Sequence, residues 1–345
     1  MTMARPQGAA VTLKTIAAEM GVSVTTVARA LKDGHKISQD MVRKVRETAD
    51  RMGYVRNLEG AKLRTGKTLV AMAFLGFSEE EEVGDSGSVG LLSGIHRRFA
   101  GTDYAVRAVP VETGAQALEQ VQEVVRGRLA DGMILDHTRL QDDRVKYLLE
   151  VGFPFVTFGR TELLSEHPWF DIDNEFAAWQ GTDALLRDGH RRIALIDGDP
   201  RHTFVRQRIR GHEQALREYG LTPDPALRQL AELAADTARK AAGALLDHGA
   251  DAFVCANELA FLGARAGVRD RIGDGVDRIG FSLRSGTNLA SYVGSRVHAS
   301  HFSRRQAGWE LADLLLGQIE ASGAADHQRL VRTDLITTGQ PGKTA

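Results

Sequence analysis

The sequence predicts an N-terminal all-α helix-turn-helix head followed by a larger α/β body of two parallel-sheet lobes. Three observations carry that expectation. Two short amphipathic helices are joined by a tight turn near the N-terminus, apolar strands alternate with helical segments after residue 68, and charge divides unevenly between the two parts. Residues 1–67 hold 13 Lys and Arg against 6 Asp and Glu, while the rest of the chain holds 31 against 39. A basic head on an acidic body fits a polyanion-binding module joined to a domain with another task, although a solvated basic face gives the same count. The 345 residues, 43% apolar and 26% charged, suffice for more than one buried core. No run approaches the roughly 18–20 apolar residues of a membrane helix, so no membrane partner is expected. Met1–Ala10 lacks the apolar centre of a secretory leader, so a cytoplasmic protein is expected. Cys255 is the single cysteine, which excludes an internal disulfide and a zinc finger.

In the head, Thr12 is a good N-cap for a helix reaching about Met20, and Gly21 suits the position after its end. Ser23 caps a second helix through about Leu31. Ile16, Ala17 and Met20, then Val22, Val27 and Leu31, give each helix one apolar stripe. A third helix runs from about Ser38 to Gly53, with Val42, Val45, Ala49 and Met52 at helical spacing. This is the helix-turn-helix pattern, whose second helix enters the major groove, although many such bundles bind no DNA.

In the body, candidate strands are 69–74, 105–109, 132–135, 153–158, 193–196, 252–255 and 278–281. Helical patterns lie between them, for example 115–126, 175–187, 205–219 and 237–248. Such alternation implies parallel sheets with helices on both faces, and the length fits two of them. The acidic run Glu79–Glu82 and the Gly/Ser-rich stretch to Gly90 read as a mobile loop after the first strand.

The head resembles that of the lactose-repressor/purine-repressor family. The resemblance rests on Thr12 to Ala17, Gly21 to Leu31, Gly53-Tyr54, Asn57 and Leu63 to Gly66, which match without a gap over about fifty residues. It implies that Val24 and Thr25 choose bases at the start of the recognition helix and that Arg29 reads the groove further along. Ser23 and Thr26 would hold phosphates, and Thr12, Leu13 and Asn57 would also contact DNA. Thr25 can hydrogen-bond, Val24 offers a methyl surface to thymine, and Arg29 suits the two acceptors of guanine. The bland alternatives are simple packing for Val24 and a phosphate contact for Arg29. Residues 57–67 match a hinge helix that folds on the minor groove, with Leu63 as the wedge between central base pairs. Glu59 and Gly60 depart from the family's more apolar hinge and make it a poor helix off DNA. Thr15, Ala28 and Lys32 replace commoner family residues, so operator preference does not carry over. Gly66-Lys67-Thr68 imitates the end of a phosphate-binding loop, but Gly60 is one residue too far upstream and a strand follows.

The body resembles, more loosely, the same family's effector domain, which shares the fold of periplasmic sugar-binding proteins. The matching pieces are Asp173-Asn174, Gly189 to Ala194, Arg208 to Gly211, Cys255 to Ala260 and Ile279 to Phe281. The resemblance implies a ligand between lobes at strand C-termini, gripped by Arg208 with Asn257 as its polar partner, a pairing suited to a polyol. Phe170 or Trp169 would stack on a sugar face. Ser282 stands where the family has an aspartate, and Glu258 replaces another. Arg160 adds positive charge and hints at an acidic or phosphorylated ligand, with a salt bridge as the equal alternative.

Enzyme readings are poor. Asp171 and Asp173 fall on opposite strand faces, His298 and His301 lack a third metal ligand, and no nucleophile motif surrounds Cys255. No metal and no cofactor is expected. The domain plan is a DNA-binding head over 1–56, a hinge helix over 57–67, and an effector-binding and dimerisation domain of two interleaved lobes over 68–345. The expected partners are a palindromic double-stranded operator, a sugar-like effector and a second copy of the chain. The tail after Ile336 shows no leucine heptads, so no tetramerisation coiled coil is expected.

Overall fold

The computed structural model describes residues 11–32, 34, 36–55, 62, 65–77, 86–111, 114–231, 233–320 and 327–339. Two compact units divide the chain, one ending at Lys67 and the other starting at Thr68. The hinge positions Asn57, Glu59, Gly60 and Leu63 lie outside the described residues, as does the run Glu79–Glu82.

The first unit is three helices, α1 (Leu13–Met20), α2 (Val24–Lys32) and α3 (Gln39–Met52). Thr12 and Thr15 form a reciprocal capping box at the start of α1, and Gly21 ends it in the left-handed conformation with φ 65°. The Ser23 hydroxyl accepts from the Thr26 backbone N–H at 3.0 Å, which starts α2 three residues later. Ser38 caps α3 in the same way. Ile16, Ala17, Val27, Ala30, Val45 and Ala49 form the buried centre, one stripe from each helix.

The second unit holds two six-stranded sheets. The first is built from β1 (Val70–Leu75), β2 (Ala105–Pro110), β3 (Gly132–Leu135), β4 (Phe155–Phe158), β5 (Trp169–Ile172) and β11 (Gln328–Val331), in the order β11-β5-β4-β3-β1-β2. The second holds β6 (Ile193–Asp197), β7 (Arg228–Leu230), β8 (Ala252–Cys255), β9 (Gly280–Ser285), β10 (Val297–His301) and β12 (Asp334–Thr338), in the order β12-β10-β9-β8-β6-β7. Among the described residues the strands of both sheets pair in parallel except β12 with β10. The central strands β3, β4, β6 and β8 are buried along their whole length, as parallel strands covered on both faces must be. Chain order and sheet order together show three crossings between lobes, after β5, after β10 and after β11.

Helices α4 (Ser86–Phe99), α5 (Gln116–Arg126), α6 (Asp143–Glu150) and α11 (Arg304–Glu320) cover the first sheet. Helices α7 (Asn174–Arg187), α8 (Thr203–Glu218), α9 (Ala235–Asp247) and α10 (Glu258–Ile272) cover the second. The expected loop up to Gly90 is corrected here, because Ser86 onward is the start of α4. Its glycines serve contact rather than flexibility: a Cβ on Gly94 would lie 1.9 Å from the Arg305 carbonyl oxygen of α11, and one on Gly308 of α11 would lie 2.0 Å from the Leu91 oxygen. Only glycine lets these two helices approach so closely.

Several sequence features resolve into structural roles. Thr68 and Leu69 donate their backbone N–H groups to Asp131, and β1 follows, so the Gly66-Lys67-Thr68 run leads into a sheet. His298 bonds Thr337 at 2.9 Å and Asp188 at 2.8 Å, pinning β10 to β12 and to the end of α7. Asp173 caps α7 by accepting from Phe176 N–H at 3.0 Å. Cys255 is buried, and burial, with Asp197 adding, pushes its thiol well above the ordinary value, as befits an inert core residue. No helix among the described residues is long and apolar enough to cross a membrane.

Candidate functional site

On the head, the outward face of α2 gathers most of the residues expected to meet DNA. Ser23, Thr25 and Arg29 are exposed, Val24 is 40% exposed, and Thr26 is half-buried. Ser23 and Thr26 share a hydroxyl hydrogen bond of 2.8 Å, which fixes both at the helix start. Val24 projecting into solvent weighs against simple packing as its role. Three basic side chains of α3 are held in surface ion pairs, Arg43 and Lys44 with Asp40 and Arg51 with Glu19. Among the described residues no ion pair holds Arg29. Thr12 is exposed but occupied as a cap, and Leu13 is half-buried against the head core.

In the body, loops at the C-terminal ends of both sheets converge on a cavity of about 120 Å³. The first lobe contributes Asp136 and His137 after β3, Phe158 and Gly159 at the end of β4, and Asp171 and Ile172 on β5. The second contributes Phe204 and Arg208 on α8, Ala256 and Asn257 after β8, and Arg284 on β9. Asn174 and Arg304 enter where the chain crosses between lobes. Strand-end loops meeting at a lobe boundary are the ordinary place for a ligand in open α/β sheets. The lobes also touch at the cavity rim: Thr203 donates its N–H to the Thr138 carbonyl at 3.3 Å, and His202 and Phe204 stack at 5.1 Å beside His137. His137 takes a φ of 56°, and its ring fits only because position 76 carries no side chain, a Cβ there lying 2.1 Å from the ring.

Arg208 lines the cavity from within a bidentate ion pair, Nε to Asp197 Oδ2 at 2.7 Å and Nη2 to Asp197 Oδ1 at 2.6 Å. Its guanidinium lies 5.0 Å from the Phe204 ring centre, and Nη1 reaches Asn174 Oδ1 at 3.4 Å. Asn257 lines the cavity and caps α10, its Oδ1 accepting from Ala260 N–H at 2.9 Å. Arg160 donates to Asp171 at 2.8 Å and lies over Trp169, so the salt-bridge alternative describes it. Burial still outweighs that pairing and holds the Asp171 carboxyl above its ordinary value.

Two expected cleft residues are corrected. Phe170 is fully buried between Phe158 and Phe302 in the first lobe's core, with no face left for a ligand. The cavity's aromatic surfaces are Phe158 and Phe204. Ser282 is 1% exposed beneath α7, its hydroxyl 2.4 Å from where a Gly181 Cβ would lie. Successive strand side chains alternate faces, so the residue sharing the Ser282 face nearer the strand end is Arg284. Sequence reasoning missed Arg284, Arg304, Asp136 and His137. Counting two residues on from Ser282 was the available signal for the first. Glu258 braces the turn after β9, its Oε1 accepting from the Gly286 and Thr287 N–H groups at 2.8 and 2.9 Å.

Two imidazoles, His212 buried and His202 half-buried, are expected to make the body acid-sensitive. Burial, then Arg228, pushes His212 of α8 down to about 4, and burial, then His137, pushes His202 down to about 4. Both start from 6.5, so both rings are neutral in the fold at pH 6 while the unfolded chain begins to protonate them. The unfolded state then binds more protons between pH 6.5 and about 4, and stability falls as pH drops through that window, by up to about 3 kcal/mol per ring. His212→Asn should flatten the dependence of Tm on pH between 7.5 and 4.5. A variant tracing the wild-type curve would refute the assignment.

A helix-turn-helix unit carried on a two-lobed α/β body with a cavity at the strand ends is the architecture of a bacterial regulatory protein. The chain belongs to the LacI family: residues 12–57 match the description "bacterial regulatory proteins, lacI family", and residues 82–338 match "periplasmic binding proteins and sugar binding domain of LacI family". The HTH-type transcriptional regulator RafR of Escherichia coli is 35% identical over 217 residues, which span 63% of this chain and 63% of RafR. The HTH-type transcriptional repressor CytR of Escherichia coli is 25% identical over 97% of this chain and 98% of its own length. The crystal structure of the lac repressor dimer bound to operator and an anti-inducer superimposes with a TM-score of 0.71 at 20% identity, covering 95% of this chain and 98% of that one. At that identity the likeness speaks for the fold.

Proposed function

We propose that this protein is a homodimeric transcription regulator of the cytoplasm, a repressor that binds a palindromic operator and whose affinity is set by a sugar or sugar derivative in the inter-lobe cavity. It would govern genes of carbohydrate uptake or catabolism. The observation that carries this reading is the outward face of α2, where Val24, Thr25 and Arg29 stand free of the head core. A helix so presented offers a methyl group, a hydroxyl and a forked cation to base edges, with Ser23 and Thr26 beside it for phosphates. The domain plan remains 1–56 for DNA, 57–67 for the hinge with Asn57 and Leu63, and 68–345 for effector and dimerisation. RafR and CytR, named as transcriptional regulator and repressor, support the regulatory role, and the sugar-binding description of the body's family supports the effector class. Arg208 and Asn257 are the effector contacts in this reading. The test is operator selection from random DNA with the full chain, followed by gel shifts with and without sugars. Binding no more selective than to bulk DNA would overturn the reading.

A further inference from the structure

Two arginines at the cavity lack the partners their neighbours have. Arg284, near the end of β9 in the second lobe, is 6% exposed, and its Nη1 has no hydrogen-bond partner among the described residues. Arg304 opens α11 over the first lobe's sheet, and its guanidinium lies 5.3 Å from the Phe158 ring centre. No carboxylate stands within ion-pair distance of either guanidinium among the described residues. Burial, then the charge of Arg304, pushes Arg284 well below its ordinary value, with Glu258 opposing.

Carboxylates are present around the cavity, but each is engaged elsewhere. Asp197 holds Arg208, and Asp171 holds Arg160 and accepts from Asn174 at 3.2 Å. Asp136 accepts from the His137 N–H at 2.7 Å, and Glu258 Oε1 takes donors from Ser285, Gly286 and Thr287. Neither Arg284 nor Arg304 has a carboxylate within ion-pair distance among the described residues; Glu258 acts on both from further off, and Asp136 on Arg304. Buried cations are stable only when paired, and guanidinium forks match the oxygens of carboxylates and phosphates.

We propose that the effector is anionic, with a carboxylate or phosphate group held between Arg284 of β9 and Arg304 at the lobe crossing. This rests on the reading of the cavity as the effector site and names the chemistry that site selects. An anion between the two guanidinium groups would relieve the repulsion by which Arg304 depresses Arg284. The forked donors would set specificity by leaving a buried cation unpaired whenever a neutral analogue enters.

The experiment uses the full-length protein in thermal-shift titrations against matched probes. These are D-glucose, D-glucuronate and D-glucose 6-phosphate, then D-galactose and D-galacturonate, with inorganic phosphate as the minimal anion and sodium chloride at equal ionic strength as control. An anionic probe should raise Tm where its neutral parent does not, and the carboxylate and phosphate arms identify the group. R284M and R304M should each weaken that probe about tenfold or more, the scale of one charge-assisted pair. R284M without ligand should melt higher than wild type, because a buried unpaired charge has been replaced by an apolar side chain; this also shows that the variant folds. The proposal is overturned if no anion exceeds the chloride control, if neutral sugars bind better than their acids, or if R284M and R304M leave the anion's shift unchanged. A neutral sugar that shifts Tm and loses its effect in Asn257→Ala would sink the anion site while sustaining the cavity as effector site. Operator affinity indifferent to every ligand that binds would instead sink the regulatory reading.

Discussion

Arg29→Ala is expected to remove operator selectivity while leaving residual affinity for DNA of any sequence. Arg29 is exposed on α2, one turn beyond Thr25, and among the described residues no carboxylate holds it. A forked donor on a groove-facing helix can take both acceptors of a guanine, and such a contact gives about 1–3 kcal/mol of discrimination per site. A dimer on a palindrome uses the side chain twice, so about 2–6 kcal/mol is expected from the substitution if the half-sites are independent. Binding isotherms on the selected operator and on a scrambled duplex decide the matter. Operator affinity should fall toward the scrambled value, and the scrambled value should change little. Equal loss on both duplexes, with the salt slope reduced by about one per arginine, would make Arg29 a phosphate contact. The Tm of the body should stay unchanged, since the head is a separate compact unit with its own core.

The head was legible in the sequence because its signals are local. Thr12, Ser23 and Ser38 sit at helix starts and Gly21 and Gly53 at helix ends, so caps and apolar stripes agree on the same boundaries. The central strands β1, β3, β4, β6 and β8 were legible for a related reason: full burial forces continuous apolar runs such as Ile193 to Ile196. The interior strands β5 and β10 were not, β10 because its buried stretch includes His298 and Ser300. The edge strands β11 and β12 were not, because they are largely exposed and carry no apolar run. Helix α4 was misread because the glycines that let it approach α11 are, in one dimension, indistinguishable from those of a loop. The cleft was legible at Arg208 and Asn257 and illegible at its charge. Arg160 suggested an acidic ligand, yet its charge is taken by Asp171, while among the described residues the cavity cations without an ion pair are Arg284, whose Nη1 also lacks a hydrogen-bond partner, and Arg304. Pairing is a property of three-dimensional neighbours eleven or more residues apart, and a sequence lists cations without saying which are already answered.

Arg208→Ala is expected to cost stability as well as effector response, which changes how any binding loss must be read. The guanidinium and Asp197 form a bidentate pair with side chains 7% and 0% exposed. Asp197 Oδ1 also accepts from Gly198 N–H at 2.6 Å, so the carboxylate is fixed in place at the end of β6. Removing the arginine leaves that charge buried without its partner, a change that costs about 3–5 kcal/mol. Asn257→Ala removes a helix cap instead and should cost about 1 kcal/mol. Both variants should lose the ligand's effect on operator binding, but only Arg208→Ala should melt far below wild type. The double variant Arg208→Ala/Asp197→Ala removes both charges together and should recover most of the lost stability without recovering the response. Urea unfolding of wild type, Arg208→Ala, Asp197→Ala and the double variant measures the coupling directly. A single Arg208→Ala variant as stable as wild type would mean that the pair contributes nothing to the lobe. A double variant that still responds to the same ligand concentration would mean that Arg208 holds Asp197 and α8 in place and does not touch the effector at all.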